Sequence, residues 1–436
     1  MRIGLVIEQF DPIRGGVEQW TAQFAAELLR RGHEVHVVAR RFGSQIEHLP
    51  IIAHTVATSG SRLVFARAAE TILRRLPLEV IHDMGAGWYC DVFQPHWGSW
   101  PAVTRQKLLL VPRWMRPWKQ AVDRLLPRHH QIQQLLAKQY ADDGRIVLAL
   151  SQRVAADFQR FHGVPPDRIR LIYNGVDTVR FAPHRREQYR AAVRRQLGID
   201  PNALVLLIVA HNFRLKGVPL LLRATAQLRA RHPEAHLVVV GGKRVEPYAR
   251  LARHLGAATG VTFVGAVDDT VPYYAAADVY VQPTFYDTCS LVVLEALASG
   301  LPVVTSRFNG AAELLVEPEQ GYVIADPADV NELLGRLEIL MDPAVRERMG
   351  QAARRLAVEH TFQQNVDEVL AVYEEVVRAR LGAAQQGVLW ARVSGDDETD
   401  PVLCPPVPDA LLPAQVPGLN VPDGLNVPDT SPLAQS

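Results

Sequence analysis

The chain has little cysteine, no long apolar run and almost no net charge, and each of these shortages excludes a class of protein. Its three cysteines, Cys90, Cys289 and Cys404, lie far apart among 436 residues and match no metal-ligand spacing. This usage favours a reducing compartment over a secreted, disulfide-rich scaffold. No run approaches the roughly 18 apolar residues of a membrane-spanning helix, and the N-terminus lacks the apolar core of a signal peptide. We therefore expect a soluble, cytoplasmic protein.

Charge is balanced over the whole chain but uneven along it. Lys plus Arg number 47 and Asp plus Glu number 46, so no overall field attracts nucleic acid, and we expect no nucleic-acid partner. Residues 105–138, in contrast, contain eight Lys or Arg, one Asp, and the interleaved Trp114 and Trp118. Such a stretch favours binding to an anionic membrane surface. The alternative is a solvated helix pair that partly lines a cleft.

Strand and helix patterns alternate along the chain. Residues 2–7 and 35–39 form short apolar runs typical of strands, and between them Trp20, Phe24 and Leu28 recur at helical spacing. A strand, a helix and a strand within roughly 30 residues make a βαβ unit. Repeated along the chain, this order predicts an α/β fold whose parallel sheets are covered by helices on both faces.

The alternation starts a second time at residues 204–210, LVLLIVA, and this restart predicts two Rossmann-like domains rather than one long sheet. We place the first domain at residues 1–182 and the second at residues 183–364. An amphipathic helix is predicted for residues 365–381. Residues 383–436 are rich in Pro, Gly and Asp and repeat GLNVPD in tandem, a composition that predicts a disordered tail.

Two carboxylates interrupt an apolar stretch, FYDTCSLVVLEALASGLPVVTS, at residues 285–306. Asp287 and Glu295 lie eight positions apart in it, and because burying an unpartnered carboxylate is costly, the acids either cap a helix or hold a polar ligand. The stretch follows a predicted strand, and ligands of open parallel sheets bind beyond the carboxyl ends of strands. Amides at the start of the next helix favour a phosphate, whereas the carboxylates suit the hydroxyls of a sugar or ribose. In the alternative interpretation, Thr288 caps the helix and Glu295 pairs with a nearby Arg.

The order and spacing of several motifs resemble the family 4 glycosyltransferases of the GT-B fold, and more locally the branch that includes the lipopolysaccharide-core glucosyltransferases. The resemblance covers most of residues 1–381. Its motifs are GGVE at 15–18, YNGVD at 173–177, RLKG at 214–217, VTFVGAV at 261–267, the two acids followed by LEALASGLPVV, and NGAAELL at 309–315.

The resemblance implies a fold and an activity. Two Rossmann-like domains would enclose a cleft, with the helix at 365–381 returning to the first domain. The enzyme would move a hexose, with retention, from a UDP- or GDP-sugar to a hydroxyl of a glycan or lipid-linked acceptor in cell-envelope or polysaccharide biosynthesis.

The resemblance also implies roles for individual side chains. Glu295 would hold the ribose hydroxyls, Asp287 the hydroxyls of the transferred sugar, and Lys216 the diphosphate. Two positions depart from the family: Asp287 stands where a Glu is usual, and Ala210-His211 stands where an Arg is usual at the strand end. We therefore predict that the nearby Arg214 assists the diphosphate.

Backbone groups would complete the donor site, and the first domain would supply the acceptor side. On the acceptor side, Asp91 and His96 are equal candidates for a place near the anomeric carbon. The backbone positions implied for the donor are Gly15 and Gly16, which would let a loop approach the phosphate, Val264 and Gly265 near the base, and Thr288, Cys289, Ser290 and Leu291 around sugar and diphosphate.

No cofactor and no metal is expected. Lys216, Arg214 and helix-start amides would stabilise the charge on the leaving diphosphate in place of a metal, and no Asp-x-Asp flanked by strand residues is present. A dinucleotide-dependent oxidoreductase is disfavoured, because neither domain start carries G-x-G-x-x-G. A sugar-nucleotide epimerase of the same fold, and a non-catalytic relative that binds a nucleotide sugar or scaffolds a membrane complex, remain alternatives.

Overall fold

The computed structural model describes residues 1–385, without the side chains of residues 124, 125, 127 and 383–385. Residues 386–436, most of the predicted disordered tail, lie outside the described residues. The described chain forms two compact units. The first contains Met1–Ala149, Ala156–Arg170 and the chain from Leu370 on, and the second contains Leu150–Ala155 and Leu171–Val369.

The main division falls between residues 170 and 171, whereas the sequence placed it between 182 and 183. Residues 171–182 are held in the second unit by specific contacts. Val176 forms a bridge with Thr361, and the ring of Phe181 packs edge-on against Tyr274 at 5.6 Å between centroids. These contacts are between segments far apart in sequence, so no local pattern indicates them.

In the first unit, the described strands form a sheet in the order β5-β3-β1-β6-β7-β8-β9, in which neighbouring strands from β5 to β8 run parallel, and a separate two-stranded ribbon pairs β2 with β4. On α1, Trp20, Phe24 and Leu28 are buried as the helical spacing predicts. The elements from the N-terminus are β1 (Arg2–Val6), β2 (Gln9–Phe10), α1 (Gly16–Arg30), β3 (Glu34–Ala39), β4 (Arg41–Phe42), β5 (Ile52–Thr55), α2 (Arg62–Leu73), β6 (Val80–Asp83), β7 (Val92–Phe93), α3 (Trp100–Leu109), α4 (Arg116–Leu125), α5 (Pro127–Gln139), β8 (Ile146–Ala149), α6 (Gln152–His162) and β9 (Ile169–Leu171).

In the second unit, the described strands form a parallel sheet in the order β12-β11-β10-β13-β14-β15. The elements that follow β9 are α7 (Arg185–Gln196), β10 (Val205–Val209), α8 (Val218–Arg229), β11 (His236–Val240), α9 (Glu246–His254), β12 (Val261–Gly265), α10 (Val271–Ala276), β13 (Val279–Gln282), α11 (Leu291–Ala298), β14 (Val303–Ser306), β15 (Gly321–Ile324), α12 (Val330–Ile339), α13 (Pro343–Val358) and α14 (Phe362–Gln385).

Both faces of this second sheet are buried. Along β10, Leu206 and Ile208 pack with α8 and α12 on one face, whereas Val205 and Leu207 pack with α10, α11 and α13 on the other. Successive side chains of a strand point to opposite faces, so a strand buried on both sides needs the continuous apolar run that the sequence has. The predicted α/β fold with parallel sheets is confirmed.

The C-terminal helix, α14, is longer than the predicted helix at 365–381 and extends to Gln385. Its residues from Leu370 on belong to the first unit. There the buried Tyr373 hydroxyl lies 2.6 Å from His82 Nδ1, and its ring packs edge-on against Phe24. None of the helices in the described part of the chain combines the length and apolarity needed to cross a bilayer.

Candidate active site

The candidate site lies at the carboxyl edge of the second sheet, where the strand order reverses. β10 pairs with β11 on one side and with β13 on the other, and ligands of open α/β sheets bind at such a switch point. The loops that follow β10 and β13 touch here. Gly217 has a φ of 81°, and a Cβ at this position would lie 2.2 Å from the carbonyl oxygen of Pro283. Only glycine permits this approach, which brings the side chains of the two loops together.

The first pair brought together is Lys216 and Asp287, two of the predicted site residues. Lys216 Nζ donates a hydrogen bond to Asp287 Oδ2, and the side chains are 21% and 14% exposed. The backbone of Asp287 is held on both sides, because its amide donates to the Phe308 carbonyl (2.9 Å) and its carbonyl accepts from Gly310 (3.0 Å). A phosphate at this edge would therefore meet a lysine that a carboxylate already orients.

The second predicted carboxylate, Glu295, lies in the second turn of α11 and is 8% exposed. Its Oε2 accepts a hydrogen bond from the Tyr274 hydroxyl (2.9 Å). Burial raises the pKa of Glu295 to about 7, while the hydrogen bond and the charge of Arg180 oppose this rise and the charge of Asp269 adds to it. The carboxyl group therefore keeps its proton to a higher pH than an exposed glutamate does.

The alternative interpretation of this stretch does not match the structure. Ser290, rather than Thr288, occupies the position before α11, and its hydroxyl donates to Gln282 Oε1 (3.0 Å) and does not accept from the first amides of the helix. The hydrogen bond that Glu295 accepts comes from a tyrosine rather than from an arginine. The structure therefore favours the other interpretation, in which Glu295 binds a polar ligand.

One of the backbone amides predicted to surround a ligand is already bonded within the protein. The Ser290 N–H donates to Asn309 Oδ1 (3.2 Å), and the Cys289 carbonyl accepts from Asn174 Nδ2 (2.7 Å), so the loop is fixed from both sides. Burial raises the pKa of the Cys289 thiol to about 12, which makes it inert as a nucleophile. The predicted positions in this loop are Thr288, Cys289, Ser290 and Leu291.

The two cations predicted for the diphosphate differ in their surroundings. Lys216 lies at the site, whereas the charge of Arg214 acts on Tyr248 of α9. Burial raises the pKa of Tyr248, and the positive charge of Arg214 opposes this rise. The prediction passed over His211, whose pKa is lowered by burial and by the charges of Lys243 and Lys216. The charges of both lysines therefore act on His211. The signal for it was its place at the strand end where the family usually has an Arg.

Val264 and Gly265, predicted to lie near the base, end β12 at the same edge of the sheet. Only β11 separates β12 from β10. Gly265 has a φ of 83°, and a Cβ there would meet no atom within 4 Å. The backbone at this strand end therefore has open space beside it.

In the first unit, the structure separates the two acceptor-side candidates. Asp91 lies at the amino end of β7, where its carboxylate accepts from the Ile81 amide (2.8 Å) and pairs with Arg380 of α14. His96 follows the carboxyl end of β7, where ligands bind, and its buried ring lies 4.9 Å from that of Trp20. The prediction for Asp91 is corrected, because the strand between the two residues puts them at opposite ends of the sheet.

His96 lies near the loop that carries the predicted glycines. Trp20 is on α1, which starts at Gly16, and Gly15 occupies the position before the helix. A Cβ on Gly15 would lie 3.0 Å from Glu18 Oε2, so a side chain there would require the Glu18 carboxylate to shift. Burial lowers the pKa of His96 to about 3, which keeps the imidazole neutral.

Asp83 lies at the carboxyl end of β6 in the first sheet and was not among the predicted site residues. It ends β6, is fully buried, and accepts hydrogen bonds from the amides of Gly85, Ala86 and Gly87 at 2.6 to 2.7 Å. Burial raises its pKa to about 6, against the effect of these bonds. The signal was an acid at the end of a buried strand and before a glycine-rich turn. Its role is to hold the loop that leads to β7.

No three His, Cys, Asp or Glu side chains among residues 1–385 are grouped so as to hold a metal ion. The four residues predicted for the chemistry belong to different parts of the chain. Lys216 and Asp287 contact each other in the second unit, whereas Asp91 and His96 belong to the first. Metal independence stays a prediction.

Comparison with known proteins finds two family models that match successive segments of this chain. Residues 14–180 match the family model glycosyltransferase family 4, and residues 190–356 match the model glycosyl transferases group 1. The D-inositol 3-phosphate glycosyltransferase of Acidothermus cellulolyticus is 29% identical over 410 residues, which cover 85% of this chain and 88% of that protein. The GDP-mannose-dependent alpha-(1-6)-phosphatidylinositol monomannoside mannosyltransferase of Mycolicibacterium smegmatis is 27% identical over 381 residues, covering 82% and 94%.

Solved structures share the fold. WaaG, a glycosyltransferase involved in lipopolysaccharide biosynthesis, matches with a TM-score of 0.72 and 21% identity, covering 85% of this chain and 99% of WaaG. Anabaena HepE in complex with UDP-glucose matches with a TM-score of 0.63 and 19% identity, covering 85% and 100%. The predicted fold is thereby confirmed a second time.

Proposed function

Because the chain belongs to the family 4 glycosyltransferases, we propose that it transfers a hexose from a nucleotide-diphosphate sugar to a hydroxyl group of a glycan or lipid-linked acceptor, with retention at the anomeric carbon. The observation that carries the proposal is the arrangement at the carboxyl ends of β10 and β13. There the Lys216–Asp287 pair joins two loops that contact each other, and the buried Glu295 lies on α11, the helix that follows the second loop.

Each group has a distinct role in the proposal. Glu295 accepts hydrogen bonds from the ribose hydroxyls, and Asp287 binds hydroxyls of the transferred sugar. Lys216 turns from Asp287 to the diphosphate and stabilises the charge that grows as the sugar departs, an electrostatic contribution typically of several kcal/mol. In the first unit, His96 is the acceptor-side candidate at the ligand-binding end of its sheet, and its neutral imidazole suits hydrogen bonding to an acceptor hydroxyl.

A thermal-shift screen tests the donor. A ligand that binds only the folded protein raises its Tm, so we expect at least one UDP- or GDP-sugar to do so. UDP-glucose and GDP-mannose are the first probes, since the matched proteins carry those nucleotides in their names. Absence of any shift across both nucleotide series would count against the proposal.

A non-catalytic nucleotide-sugar binder is the second candidate. One observation favours it: Asp287 and Lys216, both needed for chemistry, are bonded to each other. Release of the nucleoside diphosphate from the donor by the purified protein, in the presence of inositol 3-phosphate or lipid-linked glycans, separates the two candidates. A protein that binds the donor but never releases the diphosphate would be a binder.

We also propose that residues 105–138 contact an anionic membrane. Trp114 and Trp118 are 72% and 75% exposed, and Met115 and Val122 are exposed beside them. Trp118 and Val122 lie four positions apart on α4, so their side chains share one face of that helix, and Trp114 and Met115 lie in the 3-10 turn that precedes it. Arg113, Arg116 and Lys119 stand among them. An exposed apolar face with cations at its border is typical of a helix that lies on an anionic bilayer.

The double variant Trp114→Ala/Trp118→Ala is expected to weaken binding to vesicles of anionic and neutral phospholipid by about tenfold or more, because two large apolar side chains no longer enter the bilayer. Binding of the unchanged protein should fall as salt rises. Sedimentation with the vesicles measures both. Val179→Ala is the control, since Val179 is 76% exposed but lies in the second unit. Equal binding by the double variant would exclude this face as the membrane contact.

A further inference from the structure

Tyr274 of α10 reaches the site carboxylate from inside the protein. The side chain is 1% exposed, and its hydroxyl donates to Glu295 Oε2 (2.9 Å) while lying 3.1 Å from the carbonyl oxygen of Val292. A hydroxyl has one proton to donate, and a carboxylate is a stronger acceptor than a neutral carbonyl. The hydroxyl therefore occupies one oxygen of Glu295 and leaves Oε1 for a ligand.

The ring of Tyr274 is fixed in the core. Phe181 packs edge-on against it at 5.6 Å, and Tyr280 packs at 5.9 Å with the ring planes tilted by 33°. The helix that carries it is anchored at its start, where the Val271 amide donates to Asp269 Oδ1 (3.2 Å). Because close-packed rings cannot turn without opening the core, the hydroxyl is a fixed point from which the carboxylate is held.

The charged neighbours of Glu295 are paired with each other. Arg180 Nη2 donates to Asp269 Oδ1 (2.8 Å), and the side chains are 36% and 50% exposed. Their charges act on the Glu295 carboxyl in opposite directions. The hydrogen bond from Tyr274 is thus the direct contact that both orients the carboxylate and favours its charged form.

We propose that Tyr274 is a positioning residue for Glu295: by binding Oε2 it fixes the carboxylate and presents Oε1 to the hydroxyls of the donor ribose. This inference rests on the proposed function, because it takes the ribose as the ligand of Glu295. A neutral carboxyl group accepts hydrogen bonds from the ribose less well than a carboxylate, so the same contact also sets the pH range in which the donor binds.

The variant Tyr274→Phe removes the hydroxyl and keeps the ring. Without that hydrogen bond the pKa of Glu295 rises further, and less of the carboxylate is ionised at a given pH. Calorimetric titration with UDP-glucose and GDP-mannose should show an approximately tenfold weaker Kd at neutral pH. The loss should be larger near pH 6 and smaller near pH 8.5, since only the former lies below the pKa of the carboxyl group.

Tyr280→Phe is the matched control. Tyr280 is as buried as Tyr274 and packs against it, but its hydroxyl lies 3.4 Å from the carbonyl oxygen of Val209 rather than at Glu295. We expect its Kd for both nucleotide sugars to stay within about twofold of the unchanged protein across the pH range. A Tyr274→Phe protein with unchanged affinity and pH profile, or a control with the same losses, would overturn the proposal.

A ¹³C NMR titration of the Glu295 carboxyl group separates this inference from the proposed function. It needs no ligand, and Tyr274→Phe should move the midpoint to higher pH while Tyr280→Phe should not. An unmoved midpoint overturns the positioning role even if the donor binds. If the unchanged protein binds no member of the UDP- and GDP-sugar series, the proposed function fails, and the ribose part of the inference is overturned with it.

Discussion

Glu295→Gln is expected to lower kcat/KM for the nucleotide sugar by about 100-fold or more, while the protein stays folded. Glutamine keeps the shape of the side chain but removes the charged acceptor, and hydrogen bonds to a charged group contribute roughly 1.5–3 kcal/mol each. Glu295→Ala and Asp287→Ala are expected to abolish transfer. Initial rates with the donor that raises the Tm most provide the measurement. Full activity in any of these variants would remove the assignment.

The same variant separates a functional role from a structural one. The folded-state pKa of Glu295 is raised from 4.5 to about 7, so between these values the folded protein binds more protons than the unfolded chain. The contribution of Glu295 to stability is therefore lost as the pH rises through this window. Glu295→Gln does not titrate, and its Tm at about pH 8 should equal or exceed that of the unchanged protein. A Tm lower by several degrees would indicate a structural residue.

Glu27→Gln is the control for losing a buried carboxylate. Glu27 is 9% exposed on α1 of the first unit, where it pairs with Arg30 and Arg31, and these arginines lower its pKa to about 2. Its removal should cost stability and leave kcat/KM within a few-fold. The two variants thus have opposite expected effects, because one carboxylate has its charged partners and the other has a hydroxyl partner and an open oxygen.

Lys216→Met is expected to lower kcat by about 10²–10³-fold, which is the usual cost of removing one preorganised group that stabilises charge in a transition state. Methionine keeps the length of the side chain and loses the charge. KM for the donor should change less than kcat if the lysine acts mainly on the charge that develops as the diphosphate leaves. Rapid-quench assays that follow release of the nucleoside diphosphate measure the chemical step directly.

A double-mutant cycle tests whether Asp287 orients this lysine. If the contact seen between them matters for catalysis, the losses in Lys216→Met and Asp287→Asn will not add in the double variant. Lys243→Met is the control, because Lys243 is exposed near the same edge and has its own place after β11. We expect it to cost less than tenfold. Additive losses, or an equal loss at Lys243, would refute the role of the pair.

Much of the second unit could be predicted from the sequence because the relevant signals are local. β10 is a continuous apolar run, and both of its faces are buried. Asp287 and Glu295 were found because an apolar stretch that contains two acids is physically unusual, and the structure places both at the carboxyl edge of the sheet. Asp287 lies in the loop before α11 and Glu295 lies on α11, so their separation depends only on this loop and this helix.

The acceptor side shows where local signals end. Asp91 and His96 are five positions apart and looked equivalent, yet the two-residue strand β7 lies between them. Because β7 runs across the sheet between them, Asp91 lies at its amino end and His96 lies beyond its carboxyl end. Arg380, which pairs with Asp91, is distant from it in the sequence. A two-residue strand is too short for a period-2 pattern, so its position could not be predicted.

By itself, the sequence of this protein determined two α/β domains with parallel sheets and the loop and helix that carry Asp287 and Glu295, because each of these depends on residues close together in the chain. Only the tertiary structure decided the partners: Lys216 lies 71 positions from Asp287, and Tyr274 lies 21 positions and one helix away from Glu295. Periodicity records which face of an element is buried, but which polar groups meet depends on strand order and packing between distant segments. That is why the charge state of the site follows from the fold rather than from the motif.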